Sequence, residues 1–272
     1  MSTHTPSPQA DIAVIGGSGF YSLLDGAQLV HIATPYGEPS DPIALGKVAG
    51  RQVAFLARHG TDHRHPPHRI NYRANLWALR SLGVRQVLAP CAVGSLRPEL
   101  GPGSIVIPDQ LVDRTTSRVQ TYFDEGAVHV PFADPYCPAG RTTVVKAAAG
   151  TSLPAHDGGV MVVIEGPRFS TRAESRWYAS SGWSVVNMTG HPEAVLAREL
   201  ALCYTPIALV TDYDAGVQAG DGVSQDEVFR IFGENVEVLK GLVLEAIAQL
   251  DLTRPCSCAA VLDGITLPIN LP

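Results

Sequence analysis

Short apolar runs, each ending in small or polar residues and separated by helical patterns, limit what this chain can fold into. Residues 11–15 form one such run and lead into Gly16-Gly17-Ser18-Gly19. Residues 43–48 and 52–57 read as paired strands around Ala49-Gly50-Arg51, with Arg58-His59-Gly60 after the second. Residues 71–82 place Leu76, Leu79 and Leu82 on one face, with Trp77 beside them, and stop at Gly83, which predicts a helix. Residues 86–89 are another buried strand, followed by Cys91-Ala92-Val93-Gly94-Ser95; 160–164, 185–188 and 207–210 are further strands. Thr171 with Glu174, and Ser224 with Glu227, read as capping boxes that open helices running to residues 180 and 250. Pro192 takes the tolerated first position of a helix opened by His191-Pro192-Glu193. Strands alternating with helices predict an α/β fold with one domain, a central mixed twisted sheet flanked by helices. The expected organisation is a flexible segment over 1–10, the domain over 11–250, and a C-terminal tail without periodicity over 251–272.

Composition excludes several classes. With 45% hydrophobic and 17% charged residues the chain can bury a sizeable core, and the composition argues against a disordered chain. The net charge is −6 and the 20 Lys and Arg form no basic run, which argues against nucleic acid as a partner. No apolar stretch reaches the ~18 residues of a membrane span, and the polar, Pro-bearing start resembles neither signal peptide nor anchor. Cys91, Cys137, Cys203, Cys256 and Cys258 are odd in number and mostly lie in apolar surroundings. That pattern reads as a reducing cytoplasm, with free thiols in the exposed Cys256-Ser257-Cys258 tail or a redox pair there.

In such folds the strand ends form the ligand site, and the polar segments fall there. Gly16–Gly19 suits close backbone approach to an anion, with Ser18 as a hydroxyl donor; a tight strand-to-helix turn fits the same residues. Arg58 can bind phosphate bidentately and His59 can add a donor. His59, His63, His65 and His68 could approach a metal, but no acidic or thiol partner completes a standard spacing. Thr189 precedes a helix whose free N–H groups and positive dipole end favour an anion, or is an ordinary N-cap. Asp212 and Asp214 alternate along an extended segment and so share a face. Two converging carboxylates can accept N–H donors or share a proton as an acid, and Phe169 offers a stacking ring. Together these features describe an anion cradle, an aromatic platform and a two-carboxylate reader, a site suited to splitting a nucleoside with phosphate. A dinucleotide-binding module would rest on the glycines alone and lacks the acidic residue ~20 positions further on.

The chain resembles the methylthioadenosine phosphorylases, a branch of the trimeric purine nucleoside phosphorylases. The likeness spans residues 11–250 and is carried, in order, by IGGSGFY, TPYGEPSD, ARHG, YRANLWALRSLG, CAVGSL, PGSIVIPDQLVDRT, FADPYCP, IEGPRFSTRAES, NMTGHPEAVLARE and TDYDAG. The resemblance implies that orthophosphate, a co-substrate, is joined to ribose C1′ with release of a purine, without metal or organic cofactor. It implies phosphate contacts from Ser18, Arg58, His59, Cys91, Ala92 and Thr189, with Cys91 standing where a Thr is common. Met188 would lie along the ribose, Phe169 and Ser170 at the base, and Asp212 and Asp214 on the adenine edge, Asp212 sharing the proton at N7. Gln225, Val228 and Phe229 would line the 5′ pocket, and His129 would reach the same pocket of a neighbouring subunit in a homotrimer. The polar Gln225 would admit a hydroxyl or halogen as well as methylthio. His191 replaces a commonly apolar residue. The rival reading is the same reaction on 6-oxopurine nucleosides.

Overall fold

A computed structural model describes residues 10–17, 20, 26–217 and 222–272. Ser18, the expected hydroxyl donor of the glycine turn, lies outside the described residues, as does nearly all of the 1–10 segment.

The first strand sets the architecture. β1 (Ile12–Gly16) is buried along its whole length, because alternate side chains enter two different cores. Ala13 and Ile15 join Leu76, Leu79, Leu196 and Ala197 on one face; Ile12 and Val14 join Val144, Leu239, Leu242 and Val243 on the other. The helices that supply those partners are α1 (Tyr72–Ser81) and α4 (Gly190–Glu199) on the first face, and α2 (Pro138–Ala148) and α5 (Gln225–Gln249) on the second. In α5 the buried residues Leu239, Leu242, Val243, Ala246 and Ile247 repeat at the spacing of one helical stripe. Each buried Leu, Val or Ile of that stripe stabilises the fold by about 1.5–3 kcal/mol when taken fully from water.

Among the described residues eleven strands form one mixed sheet. β3 (Ile43–Val48) pairs antiparallel with β2 (Gln28–Val30) on one side and with β4 (Arg51–Ala57) on the other, and β4 runs parallel to β1. β1 lies parallel to β5 (Gln86–Ser95), where the sheet forks. One branch continues through β10 (Val185–Asn187) and β9 (Val160–Ile164) to β7 (Gln110–Arg114). The other runs through β11 (Cys203–Tyr213) and β6 (Ile105–Ile107) to β8 (Ala155–Asp157). Gly94 stands at the fork, opposite Val186 on one side and Asp212 on the other. α3 (Arg172–Ser180) lies between β9 and β10 in the chain.

The structure matches the α/β, single-domain expectation and changes several boundaries. The strands expected over 86–89 and 207–210 run on to Ser95 and back to Cys203, because both lie in the doubly covered centre of the sheet, where small and polar residues are still paired. β2, β6, β7, β8 and α2 had no sequence signal strong enough to read from residue pattern. α2 begins at an atypical cap, the Cys137 Sγ accepting from the Gly140 N–H at 3.3 Å. The Thr171–Glu174 capping box closes in both directions. At Ser224 only the hydroxyl half is seen, accepting from the Glu227 N–H at 3.2 Å. His191 is non-helical, so the regular turns of α4 begin at Pro192.

The segment after 250 is not a loose appendage. Leu267, Ile269 and Leu271 pack against the first core, and Gln86 donates to the Asp251 carbonyl at 3.0 Å. Cys258 is buried and Cys256 partly so, which corrects the expectation of two exposed tail thiols. No helix among the described residues is long and apolar enough to cross a membrane.

Candidate active site

The ends of β1, β4, β5, β10 and β11 surround one cavity of about 230 Å³, closed on another side by the first turns of α5. Its floor depends on glycine. A Cβ on Gly16 would lie 2.8 Å from both Phe20 and Phe55, so this turn tolerates no side chain, and Gly17 lines the cavity beside it. The Arg58 N–H donates to the Gly16 carbonyl at 2.9 Å, which fixes the start of the Arg58-His59 loop against the glycine turn.

Arg58 reaches the cavity from inside the protein. It is 2% exposed and binds Glu193 through Nε and Nη2 at 2.9 and 3.0 Å. Nη1 also donates to the Pro90 carbonyl and Nη2 to the Ile15 carbonyl. Four of its five N–H donors are therefore occupied, leaving one on Nη1 for a ligand. The bidentate phosphate fork expected from the sequence is thus corrected: the fork is spent on Glu193. Burial opposes the guanidinium charge, but Glu193 outweighs it and holds Arg58 firmly protonated. Glu193 is fully buried and also accepts from the Tyr204 hydroxyl at 2.7 Å. Nothing in the helix pattern around His191-Pro192-Glu193 marked Glu193 as functional. A carboxylate on an otherwise apolar helix face was the available clue.

His59 differs from its expected donor role. Its Nδ1 lies 2.9 Å from the His65 carbonyl, an acceptor only, so Nδ1 carries the proton and Nε2 is left as an acceptor. Burial pushes this imidazole down to about 4, so it is neutral at pH 7. His63 stacks on it at 4.6 Å and also lines the cavity. Cys91 and Ala92 line the same end, and burial pushes the Cys91 thiol up to about 12, which keeps it a neutral, weak donor.

Thr189 is buried at the cavity wall, but the amides at this helix start are not free. Asn187 Oδ1 accepts from the N–H groups of Thr189 and Gly190 at 2.7 and 2.6 Å, while its Nδ2 donates to the Ala92 carbonyl. The expected anion site on those two amides is therefore corrected: what Thr189 offers is its hydroxyl, which donates only weakly to Asn187 Oδ1, at 3.4 Å. His191 turns away, its Nε2 2.9 Å from Gln120 and 3.2 Å from Asp113.

The opposite end is acidic. The ladder between β11 and β5 slips at Thr211, just before Asp212, and beyond that bulge Asp212 and Asp214 both line the cavity, as their alternation along an extended segment predicts. Asp212 is 6% exposed and accepts from the Thr211 hydroxyl at 2.8 Å. Burial, which the Thr211 bond only partly offsets, together with the neighbouring Asp214, raises its pKa to about 7. Burial raises Asp214 as well. Its Oδ2 and the hydroxyls of Ser170 and Ser175 are buried without a hydrogen bond of normal geometry. Phe169, 36% exposed, and Met188 flank the middle of the cavity. A Cβ on Gly166, whose φ is +63°, would lie 2.7 Å from the Met188 sulfur.

Val228 and Phe229 line the cavity from α5, with Phe232 one turn further on, a residue the sequence did not single out. Gln225 is exposed on the first turn of α5 and is not among the residues lining this chain's cavity. His129 is also exposed and does not line this chain's cavity.

An α/β sheet whose strand ends enclose a cavity, with the remaining Arg58 donor at one pole and two raised carboxyl groups at the other, has the arrangement of an enzyme active site. Residues 11–248 match the phosphorylase superfamily, and the chain belongs to it, in the branch of the purine nucleoside and methylthioadenosine phosphorylases. It is 60% identical to the purine nucleoside phosphorylase of Streptomyces coelicolor, covering 97% of this chain and 98% of that one. It is 59% identical to the S-methyl-5'-thioadenosine phosphorylase of Mycolicibacterium smegmatis, covering 96% and 99%. Among solved structures it is similar to a methylthioadenosine phosphorylase from an antarctic soil metagenomic library, with a TM-score of 0.88, 42% identity, and 98% and 93% coverage. The methylthioadenosine phosphorylase of Schistosoma mansoni in complex with adenine superposes with a TM-score of 0.85 at 37% identity, covering 88% and 91%.

Proposed function

We propose that this enzyme, a pentosyltransferase, cleaves S-methyl-5'-thioadenosine or a closely related 5'-substituted adenosine with phosphate. The products are adenine and the 5-substituted ribose 1-phosphate. The observation that carries this reading is Asp212, a buried carboxyl near half-protonation at neutral pH, at the opposite pole of one cavity from Arg58.

Phosphate sits at the Arg58 pole. It accepts from the remaining Nη1 hydrogen, the Thr189 hydroxyl, the Cys91 thiol and the Ala92 amide, with Ser18 as a further donor, and its own hydroxyl donates to Nε2 of His59. The purine lies beside Phe169 with Met188 along the ribose. As the C1′–N9 bond breaks, its electron pair moves into the purine and the ribose becomes oxocarbenium-like. Asp212 gives its proton to N7, and a phosphate oxygen forms the new bond to C1′. Asp214 and Ser170 face the 6-amino group. The 6-oxopurine alternative is not favoured, because two carboxyl groups at the base pole suit N–H donors better than a second oxygen. The chemistry needs neither metal nor organic cofactor, since proton donor and nucleophile are both supplied.

Val228 and Phe229 form the apolar side of the 5′ pocket, and His129 completes the pocket of a neighbouring copy in a homotrimer. A cytoplasmic setting fits nucleoside and phosphate as partners. The deciding experiment compares methylthioadenosine, adenosine and inosine with and without phosphate. Purine release at full rate in phosphate-free buffer overturns phosphorolysis.

A further inference from the structure

Four of the five cysteines converge far from one another in sequence. The Sγ atoms of Cys137, Cys203, Cys256 and Cys258 all lie within 4.8 Å of one another, and none of these residues lines the cavity. Cys137 is the N-cap of α2, Cys203 is the first residue of β11, and Cys256 and Cys258 flank Ser257 in the C-terminal segment. We propose that these four cysteines form a tetrahedral structural zinc site that fastens the C-terminal segment to the start of β11 and α2.

The geometry suits the ion. Zinc binds thiolate at about 2.3 Å, so the sulfur atoms of a tetrahedral site stand about 3.8 Å apart. The Cys203 and Cys256 sulfurs are 3.5 Å apart and no pair exceeds 4.8 Å, so the four thiols already lie at separations close to the tetrahedral edge. Four thiols with no oxygen or imidazole ligand select zinc among common divalent ions, and four protein ligands leave no open position for catalysis. The three buried members exclude water, while Cys256 is partly exposed and gives the ion an entry path.

The surroundings already answer the charge that such a site carries. Binding follows Zn²⁺ + 4 Cys–SH → [Zn(S–Cys)₄]²⁻ + 4 H⁺, so two net negative charges need support. The Gly140 N–H, in the first turn of α2, donates to the Cys137 sulfur at 3.3 Å. The Arg254 Nε–H donates to the Cys203 sulfur at 3.3 Å, and its Nη2 is held by the Ala201 carbonyl at 2.6 Å. Donors of this kind to ligand sulfur orient the ligands and stabilise the anionic site. A Cβ on Gly140 would lie 2.1 Å from the Thr205 hydroxyl, so the amide that faces Cys137 sits where only glycine fits.

The test uses the full chain and metal ions alone. The reduced protein is expected to hold one zinc per chain, released as a mercurial titrates its thiols. Cobalt(II) added to the metal-free, reduced chain is expected to give the intense visible bands of tetrahedral thiolate coordination. The double variant Cys256→Ser/Cys258→Ser is expected to lose the metal and melt at a lower temperature, while Cys91→Ser keeps it. A reduced wild-type chain that takes up neither zinc nor cobalt overturns the site, as does iron in place of zinc. Zinc retained by the double variant overturns the assignment to these residues. The cobalt spectrum of the wild type decides the matter even where the variant fails to fold. None of these readings depends on the nucleoside assignment.

Discussion

A Cβ on Gly94 would stand 2.9 Å from Oδ2 of Asp212 and 3.4 Å from Cβ of Asp214, so the absence of a side chain at the fork of the sheet sets where the acid lies. Gly94→Ala is therefore expected to displace Asp212 from the base pole while leaving the phosphate pole intact. A misplacement of about 1 Å costs on the order of a hundred-fold in turnover. Steady-state kinetics should show kcat falling with little change in the KM for phosphate. An unchanged kcat would mean that the acid does not depend on this approach.

Arg58 and Glu193 form a buried pair, and removing either partner leaves the other charged and alone. Glu193→Leu is expected to destabilise the fold by about 3–5 kcal/mol, which urea unfolding would register. Arg58→Ala should do the same and also raise the KM for phosphate. The phosphate effect alone is expected to be roughly ten- to a hundred-fold, the worth of one charge-assisted hydrogen bond. Arg58→Ala with full stability would contradict the structural half of this role.

The pKa of Asp212 sets a pH dependence with a definite sign. Its folded value of about 7 lies above the unfolded value of 3.8, so the folded protein holds this proton more tightly. The associated stability is fully present below pH 3.8 and is lost as pH rises through 7. Turnover that uses the protonated acid falls across the same upper range. Asp212→Asn should remove that limb of the rate profile, lower kcat, and raise stability at pH 8 by up to about 4 kcal/mol. Phosphate titrates in the same range, so the informative comparison is between variant and wild type. A variant no more stable at pH 8 would place Asp212 in water.

Base choice follows from Asp212 and Asp214 together. Adenine offers its 6-amino group and, once protonated, N7 as donors, and carboxyl oxygens accept both. A 6-oxo group would meet oxygen instead, and a mismatched buried polar pair discriminates by more than about a hundred-fold. The ratio of kcat/KM for methylthioadenosine over methylthioinosine measures this. A ratio below one would promote the 6-oxopurine reading.

His129 is exposed and outside its own cavity, yet it is expected to serve the 5′ pocket of a neighbour. Closed three-fold contacts between different patches would make the active form a trimer. Sedimentation that finds a fully active monomer would refute this arrangement.

Much of this protein was legible from local pattern, because local chemistry is written in neighbouring residues. The apolar run at residues 11–15, the turn glycines, the Thr171–Glu174 box and the TDYD segment specify strands, caps and a polar strand end without reference to anything distant. They were enough to place Arg58, His59, Thr189, Phe169, Asp212 and Asp214 around one site. What each group can do there was decided only in three dimensions. Glu193, 135 residues from Arg58, takes the guanidinium fork. The His65 carbonyl makes His59 an acceptor, and Asn187 takes the amides that seemed free at Thr189. Gln225, close to Val228 in sequence, faces solvent, and four cysteines spread over 122 residues meet at one point. Protonation, donor direction and burial depend on the groups that packing brings within a few ångströms, and no local pattern encodes which groups those are.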